Sequence, residues 1–183
     1  MRITGGIHRS RKLETPKGAA VRPTSDKVRQ AVFNMLKSRD VLADAVVIDA
    51  FCGTGALGLE ALSQGAMHCI FFDSNKSSVQ LCKINVEALK ETERSDVLFQ
   101  DSTKLKMRSG DMPRADLVFL DPPYNKNLIP SAVQSLHDGD WLSDNAFFVM
   151  ETDKNEKVAS DIIHITDEKT YGDTKILLGF LKS

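Results

Sequence analysis

The sequence predicts an α/β fold: a largely parallel sheet with helices on both faces. Short apolar runs alternate with longer segments of helical periodicity, which is the pattern of repeated strand–helix–strand units. The run 117–120 is wholly apolar, as expected of a strand that is buried on both faces of its sheet. A glycine-rich segment, 53–58, joins the first of these strands to the helix that follows. These three features predict an open sheet whose ligands bind at the carboxyl ends of its strands.

Length and composition fit one globular domain. The chain has 183 residues, 42% hydrophobic and 27% charged, which is enough to close a core without disulfides. No apolar run approaches the roughly 20 residues of a membrane helix, and the basic residues 1–12 lack the apolar centre of a secretory signal. Cys52, Cys69 and Cys82 form no CxxC pair, so we expect neither a disulfide framework nor a zinc site. The prediction is a cytoplasmic protein with no metal and no membrane partner.

Positive charge is concentrated near the N-terminus. Residues 1–39 contain ten lysines or arginines and two acidic residues, a balance of +8, whereas residues 40–183 contain 14 basic and 23 acidic residues, a balance of -9. Such an asymmetry indicates a polyanionic partner for the N-terminal residues; an arm that only adds solubility is the alternative. We therefore predict a basic extension at 1–39 and a main domain at 40–183, packed as one compact unit.

The extension is predicted to hold a small hairpin or loose arm around Gly5-Gly6, followed by one helix. The helix should start after residues 22–26, with Thr24 or Ser25 as its cap. Apolar residues then recur at the spacing of a single buried helical stripe. They are Val28, Ala31, Val32, Met35 and Leu36.

Strands and helices alternate through the main domain. Its predicted strands lie at 46–50, 69–73, 97–101, 116–121, 146–151, 162–166 and 175–181, and its predicted helices at 56–64, 76–91 and 128–137.

The turn after the first strand has the spacing of a nucleotide-binding loop. Gly53, Gly55 and Gly58 follow a strand and open a helix, where glycine lets the backbone approach a ligand and the helix start offers free N–H groups. Asp73 closes the second strand, at the position of a ribose-binding acid. We predict a nucleoside ligand across these two strand ends; a purely structural tight turn is the alternative.

Two further carboxylates indicate which nucleoside binds. Asp49 stands four residues before Gly53, where a carboxylate suits a cationic group better than a pyrophosphate. Asp101, at the end of the third strand, is placed to accept a hydrogen bond from an adenine amine; an exposed loop cap is the alternative. A ribose, an adenine and an ammonium group together describe S-adenosylmethionine better than NAD.

The fourth strand runs into the segment Asp121-Pro-Pro-Tyr124. Because proline cannot continue a central strand, an ionisable side chain, a stiff turn and an aromatic ring meet at the ligand edge of the sheet. A plain turn with Tyr124 as packing is the alternative interpretation.

The order of these motifs resembles that of S-adenosylmethionine-dependent amino methyltransferases. More narrowly, the chain is similar to the bacterial small-subunit (16S) ribosomal RNA guanine-N(2) methyltransferases of the RsmD type. The narrower resemblance spans the chain from Gly5 to the last strand and rests on segments 22–29, 33–34, 55–62 and 171–174. Asp73 stands where such sequences often have glutamate, and the shorter acid can still reach a ribose hydroxyl.

The resemblance implies a Rossmann-like methyltransferase fold of seven strands, the last one antiparallel, with the catalytic domain at 40–183. It implies methyl transfer to the exocyclic 2-amino group of a guanine in 16S ribosomal RNA, within a small-subunit assembly particle, by a monomer. The predicted site residues form three sets. The catalytic set is Asp121, Pro122, Pro123 and Tyr124; the cofactor-binding set is Asp49, Phe51, Gly53, Thr54, Gly55, Asp73, Ser74, Asp101 and Ser102; the RNA-binding set is Arg9, Arg11, Lys12, Arg22, Lys27 and Arg29.

The catalytic segment suits chemistry on the amine of a base. The lone pair of such an amine is delocalised into the ring, so the nitrogen is a poor nucleophile. If the Asp121 carboxylate and the Pro122 carbonyl accept its two hydrogens, the lone pair localises, and the stabilisation is greatest in the transition state. Tyr124 can stack on a base that has been turned out of its helix. This chemistry requires no metal.

Three other functions stay open at this level. A DNA adenine or cytosine amino methyltransferase would share residues 121–124, but the chain has no room for a separate target-recognition domain. An NAD-dependent oxidoreductase leaves that segment unexplained. A non-catalytic RNA-binding assembly factor has no need of an intact Asp121, Pro122 and Tyr124.

Overall fold

The computed structural model describes residues 1–16, 26–124 and 126–182, which form a seven-stranded sheet with helices on both faces. In chain order the elements are α1 (Asp26–Ser38), β1 (Val46–Asp49), α2 (Ala56–Ser63), β2 (His68–Asp73), α3 (Lys76–Leu89), a short 3-10 helix (Thr92–Arg94), β3 (Ser95–Phe99), β4 (Ala115–Leu120), α4 (Leu128–Asp138), β5 (Leu142–Asp153), β6 (Ile163–Tyr171) and β7 (Thr174–Leu181). The predicted α/β class is confirmed. Within these ranges, no helix combines the length and the apolar character needed to cross a membrane.

The strand order across the sheet is β3-β2-β1-β4-β5-β7-β6. Strands β1 to β5 pair in parallel, and β7 runs antiparallel to both β5 and β6, so the expected antiparallel last strand is confirmed. The order reverses between β1 and β4. In an open α/β sheet, ligands bind outside the carboxyl ends of the strands at this reversal.

Different helices cover the two faces of the sheet. On one face, strand residues such as Val47 and Phe119 pack with buried side chains of α1, α2 and α3. On the other face, Ile48 and Phe148 pack with buried side chains of α4. Successive residues of a strand point to opposite faces, which explains why residues 117–120 are apolar at every position.

The N-terminal segment, residues 1–16, is anchored to α2 through a buried carboxylate. Glu60 of α2 is 0% exposed and accepts hydrogen bonds from the backbone N–H groups of Thr4 and Gly5, each at 2.8 Å. Arg29 of α1 donates to the same carboxylate at 3.2 Å. Residues from both sides of position 39 share one apolar core, because the segment and α1 pack directly on the helices that cover the sheet.

Within the N-terminal segment, Arg2 and Lys12 form a single antiparallel bridge, so the chain folds back around Gly5-Gly6 as predicted. The predicted helix-cap residues, Thr24 and Ser25, lie outside the described residues.

Two strands are longer than predicted by several residues. β5 begins at Leu142 rather than at residue 146, and β6 continues to Tyr171 rather than ending at residue 166. β6 is an edge strand that pairs with β7, and most of its residues are exposed. Its sequence is therefore mostly polar, so hydrophobic alternation could not mark its full length.

Candidate functional site

A cleft of about 640 Å³ opens at the carboxyl ends of β1, β2, β4 and β5. It lies where the strand order reverses, which is the expected ligand position in this architecture. Most of the predicted cofactor-binding and catalytic residues line it together. They are Asp49, Phe51, Gly53, Thr54, Asp73, Ser74, Asp101, Asp121, Pro122 and Pro123.

The turn between β1 and α2 is held by contacts with β2. The Gly53 N–H donates to Asp73 Oδ2 at 2.9 Å, and the Cys52 N–H donates to the Phe72 carbonyl at 2.9 Å. Gly55, just before α2, has a φ of 78°, in the left-handed region that favours glycine. A Cβ placed on Gly53 would meet no heavy atom within 4 Å, so the backbone there faces the open space of the cleft.

Asp49 forms part of the wall of this cleft as a buried carboxylate. Its side chain is 2% exposed, and its Oδ2 accepts a hydrogen bond from the Gly58 N–H at 3.0 Å. Burial raises the pKa of Asp49 to about 7; the Gly58 hydrogen bond opposes this rise, and the neighbouring Asp73 charge adds to it. Because ionising this buried carboxylate is unfavourable, a cationic ligand that pairs with it would stabilise its charged form more than it would stabilise an exposed carboxylate.

Asp73 and Asp101 lie at the ends of the next two strands. Asp73 Oδ1 accepts a hydrogen bond from the Asn75 N–H at 2.8 Å, in addition to the bond from the glycine turn. Asp101 is exposed and accepts from the hydroxyl and the N–H of Thr103 at 2.7 and 2.9 Å; these hydrogen bonds lower the pKa of Asp101. Asp101 therefore caps its own loop, as in the alternative interpretation, while it also borders the cleft.

The register of β4 and β5 places two acidic residues side by side. The two strands pair in parallel as far as Leu120 and Met150, so the next residues, Asp121 and Glu151, follow on adjacent strands, which lie about 4.8 Å apart. Both residues line the cleft. This end of the cleft therefore presents two acceptor side chains to a ligand.

Tyr124 is oriented through its hydroxyl group. The hydroxyl donates to Glu151 Oε1 at 2.9 Å and lies 3.0 Å from Thr174 Oγ1. Partial burial raises the pKa of the Tyr124 phenol above its ordinary value, the Thr174 hydrogen bond opposes the rise, and the nearby carboxylates of Glu151 and Asp121 add to it. The phenol therefore stays protonated at neutral pH and remains a hydrogen-bond donor.

Glu151 is a cleft residue that the sequence analysis did not assign. It is 5% exposed and belongs to no motif that we identified. The available signal was a charged residue at the end of the apolar run 146–150, on the strand expected to follow the catalytic segment.

Within the described part of the chain, three of the predicted catalytic and cofactor-binding residues lie off the cleft wall. Gly55 is buried beneath the turn. Ser102 is buried, and its hydroxyl donates to the Ala50 carbonyl, so the side chain joins two loops rather than facing the cleft. The Tyr124 hydroxyl is directed to β5 and β7, as described above.

The structure separates the predicted RNA-binding residues into exposed and buried ones. Arg29 is 2% exposed; besides the Glu60 carboxylate, it contacts Asp26 Oδ1 at 2.9 Å and the Arg2 carbonyl. The prediction that Arg29 binds phosphate is therefore wrong, because its guanidinium is already engaged in the protein interior. Arg22 lies outside the described residues. The exposed members are Arg9, Arg11, Lys12 and Lys27.

The described residues contain no metal centre. Within 1–16, 26–124 and 126–182, no group of three or more His, Cys, Asp or Glu side chains could hold a metal ion. Cys52, Cys69 and Cys82 are all buried and free. A hydrogen bond with Cys82 and burial raise the pKa of the Cys52 thiol, which makes packing the role of this side chain.

Comparison with known proteins gives matches over nearly the whole chain. A family model described as conserved hypothetical protein 95 matches residues 1–179. Ribosomal RNA small subunit methyltransferase D of Haemophilus influenzae is 34% identical over 94% of this chain and 89% of its own length. The Escherichia coli protein of the same name is 35% identical over 84% of this chain and 75% of its own length.

Solved structures agree with these matches. YhhF of Escherichia coli, described as a candidate methyltransferase, superposes with a TM-score of 0.84 at 31% identity and covers 100% of this chain and 98% of its own. Magnesium protoporphyrin IX methyltransferase of Synechocystis PCC 6803, solved with bound SAM, has a TM-score of 0.62 over 85% of this chain and 79% of its own, and its 16% identity shows the fold alone. The sheet therefore has the fold of S-adenosylmethionine-dependent methyltransferases, and the chain belongs to the ribosomal RNA small subunit methyltransferase D family.

Proposed function

We propose that this protein transfers a methyl group from S-adenosylmethionine to the exocyclic 2-amino group of a guanine in small-subunit (16S) ribosomal RNA. The observation that carries the proposal is the shared cleft: Asp121 and Pro122 line the same cavity as Asp49 and Asp73. The groups that can accept hydrogen bonds from an amine and the side chains that can bind a nucleoside therefore line the same cavity. The names of the Haemophilus influenzae and Escherichia coli relatives support ribosomal RNA as the substrate.

The residues of the cleft fit S-adenosylmethionine. The Asp49 carboxylate, which is buried and ionises only near pH 7, would hold the ammonium of the amino acid moiety. Asp73 would accept from a ribose hydroxyl and Asp101 from the adenine amine, while Gly53 leaves room for close approach to the backbone. When bound, S-adenosylmethionine would supply an electrophilic methyl group on a sulfonium centre; the methyl–sulfur bond breaks as the group is transferred, which leaves S-adenosylhomocysteine as the product.

Asp121 and Pro122 would act on the amine itself. The carboxylate and the Pro122 carbonyl accept the two amine hydrogens, so that the nitrogen lone pair is withdrawn from the ring. Positive charge builds on the nitrogen as the new C–N bond forms, and a carboxylate stabilises that charge most in the transition state. The nitrogen then releases one proton, and Asp121 is the adjacent base that can take it. The prolines restrict the turn, which keeps both acceptors in place.

The exposed basic residues would hold the RNA. Arg9, Arg11, Lys12 and Lys27 are exposed, and such side chains bind phosphate without reading sequence. Met1 of the N-terminal segment borders the cleft, so RNA held along this segment would reach the cleft directly. A base turned out of its stack could then enter it.

The proposal is tested by following radiolabelled methyl groups from S-adenosylmethionine. The acceptors are small ribosomal subunits and free 16S ribosomal RNA from cells that lack this gene, with duplex DNA alongside. We expect label on subunits or RNA, recovered as N(2)-methylguanosine after digestion to nucleosides. Label on DNA alone, or on a nucleoside other than N(2)-methylguanosine, would contradict the proposal.

A further inference from the structure

Glu151 is a buried carboxylate in the cleft with no role in the chemistry proposed above. It lies on β5, is 5% exposed and lines the cavity beside Asp121. Burying a carboxylate is costly unless hydrogen-bond donors surround it. Tyr124 supplies one donor, and the position of Glu151 in the cavity allows a ligand to supply another.

The register of β4 and β5 determines which part of a ligand Glu151 can contact. Asp121 and Glu151 each follow the last paired residues of β4 and β5, one backbone spacing of about 4.8 Å apart. A base that presents its exocyclic amine to Asp121 therefore presents the adjacent ring position towards Glu151.

The three amine-bearing bases differ at that ring position. In guanine the 2-amino group is flanked by N1–H, which is a donor, and by N3, which is an acceptor; N1–H is the side to which Glu151 can bind. In adenine and cytosine the corresponding ring nitrogen carries a lone pair and is an acceptor. Glu151 accepts a hydrogen bond from the Tyr124 hydroxyl, and in this acceptor role it is complementary to the N1–H of guanine and repels the other two bases.

We propose that Glu151 is the specificity-determining residue of this site and selects guanine by accepting a hydrogen bond from its N1–H. This inference rests on the proposed function, because it assumes that the amine of the base is held at Asp121. Adenine and cytosine are rejected because their ring nitrogen would place a lone pair against the carboxylate.

Tyr124 acts as a positioning residue for Glu151. Its hydroxyl donates to Glu151 Oε1 at 2.9 Å and is in turn located by Thr174 Oγ1 at 3.0 Å. One carboxylate oxygen is thereby tied to β7, which fixes the orientation of the group. A carboxylate has about four acceptor sites, so a bond from Tyr124 is compatible with a second bond from a base.

The test uses a small-subunit RNA in which the methylated guanine has first been located by mapping the modified nucleotide in the product of the radiolabel assay. That guanine is replaced by 2-aminopurine, which keeps the 2-amino group but has an acceptor at N1. The wild-type protein should methylate the guanine RNA with a kcat/KM at least about tenfold higher. Glu151→Gln should abolish or reverse this preference, because an amide can donate to N1. Glu168→Gln, a change in an exposed carboxylate of β6, should behave as wild type.

Two outcomes would overturn the inference. One is a wild-type protein that does not distinguish the two RNAs. The other is a Glu151→Gln variant that loses rate equally on both, since Glu151 would then only support the fold around Tyr124. If the wild type transfers no methyl to guanine RNA, the proposed function itself fails, and that result is seen before any variant is made.

A binding measurement on the wild-type protein keeps the inference testable if Glu151→Gln does not fold. RNA with inosine at the target position keeps N1–H but lacks the amine. It should compete for the protein at least about tenfold more tightly than RNA with adenine there; equal competition would refute the role of Glu151. Tyr124→Phe should reduce the preference for guanine over 2-aminopurine while retaining the aromatic ring.

Discussion

Two charged regions of the molecule differ in where their charges lie. The acidic edge of the sheet (Asp49, Asp73, Asp121 and Glu151) has its charges in a cleft, whereas the basic N-terminal segment (residues 1–16) has them on the surface. In the acidic edge, like charges are gathered in one cleft, and ionising the buried Asp49 is costly enough to raise its pKa to about 7. In the N-terminal segment, Arg9, Arg11 and Lys12 lie on the surface, and the anchor is the buried Glu60 carboxylate of α2.

This contrast shows that burial, together with the hydrogen-bond donors around a buried charge, decides the role of a charged residue here. The buried Asp49 carboxylate destabilises the protein when it is ionised and gains from a cationic ligand, whereas Glu60 is surrounded by donors from the protein itself and stabilises the fold. The same distinction separates Arg29 from Arg9, although both belong to the basic region 1–39. Substitutions in the two regions should therefore affect different measurable properties.

The largest effect on stability is expected from Arg29→Ala. Removing this guanidinium leaves the buried Glu60 carboxylate without its charged partner, which should lower the free energy of unfolding by about 3–5 kcal/mol. Urea denaturation at neutral pH measures the loss. Arg9→Ala, on the exposed surface, is the matched control and should change stability by less than about 0.5 kcal/mol. Similar losses in the two variants would remove the proposed contrast between buried anchor and surface charge.

Asp121→Ala should have the largest effect on activity. We expect the methyl-transfer rate to fall by about 10²–10³-fold, with little change in the affinity for S-adenosylmethionine, because the proposed partner of this carboxylate is the amine rather than the cofactor. Single-turnover transfer and calorimetric cofactor titration measure the two quantities. The control is Asp116→Ala, at the opposite end of the same strand, where the carboxylate accepts from the Val46 N–H at 3.0 Å. Retained turnover in Asp121→Ala would refute its catalytic role.

The sequence predicted the strand ends of the cleft well because each is marked by a local pattern. Asp49, Gly53, Asp73 and Asp121 each follow or end an apolar run, and parallel strands bring such ends to one edge. Glu151 also ends an apolar run, but a lone glutamate has many ordinary roles, and its significance depends on the register that places it beside Asp121.

The role of Arg29 could not be predicted for a related reason. On a helix with one apolar stripe, an arginine is normally exposed, and Arg29, like Lys27 and Lys37, is adjacent in sequence to a residue of that stripe. Its burial follows from Glu60, which lies 31 positions later and is buried where the N-terminal segment crosses α2. Such non-local pairing of polar groups has no periodic signature.

The Asp49→Asn variant tests how much the charge on Asp49, in the acidic edge, destabilises the folded protein. The pKa of the Asp49 carboxyl is near 4 in the unfolded chain and about 7 in the folded protein. Raising the pH from 4 to 7 therefore lowers the free energy of unfolding progressively, and above pH 7 the whole of this loss is present. At about 1.4 kcal/mol per pKa unit, a rise of about three units corresponds to about 4 kcal/mol, so the variant should be more stable than wild type by up to about 4 kcal/mol at pH 8, with no gain below pH 4.

The same variant should lose affinity for S-adenosylmethionine, because the ammonium loses its counter-charge. Wild-type affinity should weaken as the pH is lowered from 8 to 6, when Asp49 takes up a proton, and the affinity of Asp49→Asn should not follow that trend. Thermal unfolding and cofactor titration at both pH values measure these effects. If Asp49→Asn is no more stable than wild type at pH 8, the ionised Asp49 does not destabilise the folded protein, and this prediction is contradicted.

The smallest effect is expected from removing the exposed charges of the N-terminal segment. Replacing Arg9, Arg11 and Lys12 by glutamine should leave stability almost unchanged, since the Arg11 hydrogen bond to the Ala88 carbonyl at 2.8 Å is exposed. RNA affinity should fall several-fold at low salt, and the slope of log affinity against log salt should decrease by about 2, near 0.7 for each lost phosphate contact. The control replaces three exposed lysines elsewhere, Lys157, Lys169 and Lys182, which changes net charge equally. If both triple variants flatten the slope to the same degree, the RNA responds to overall charge, and the N-terminal segment is not the surface that holds it.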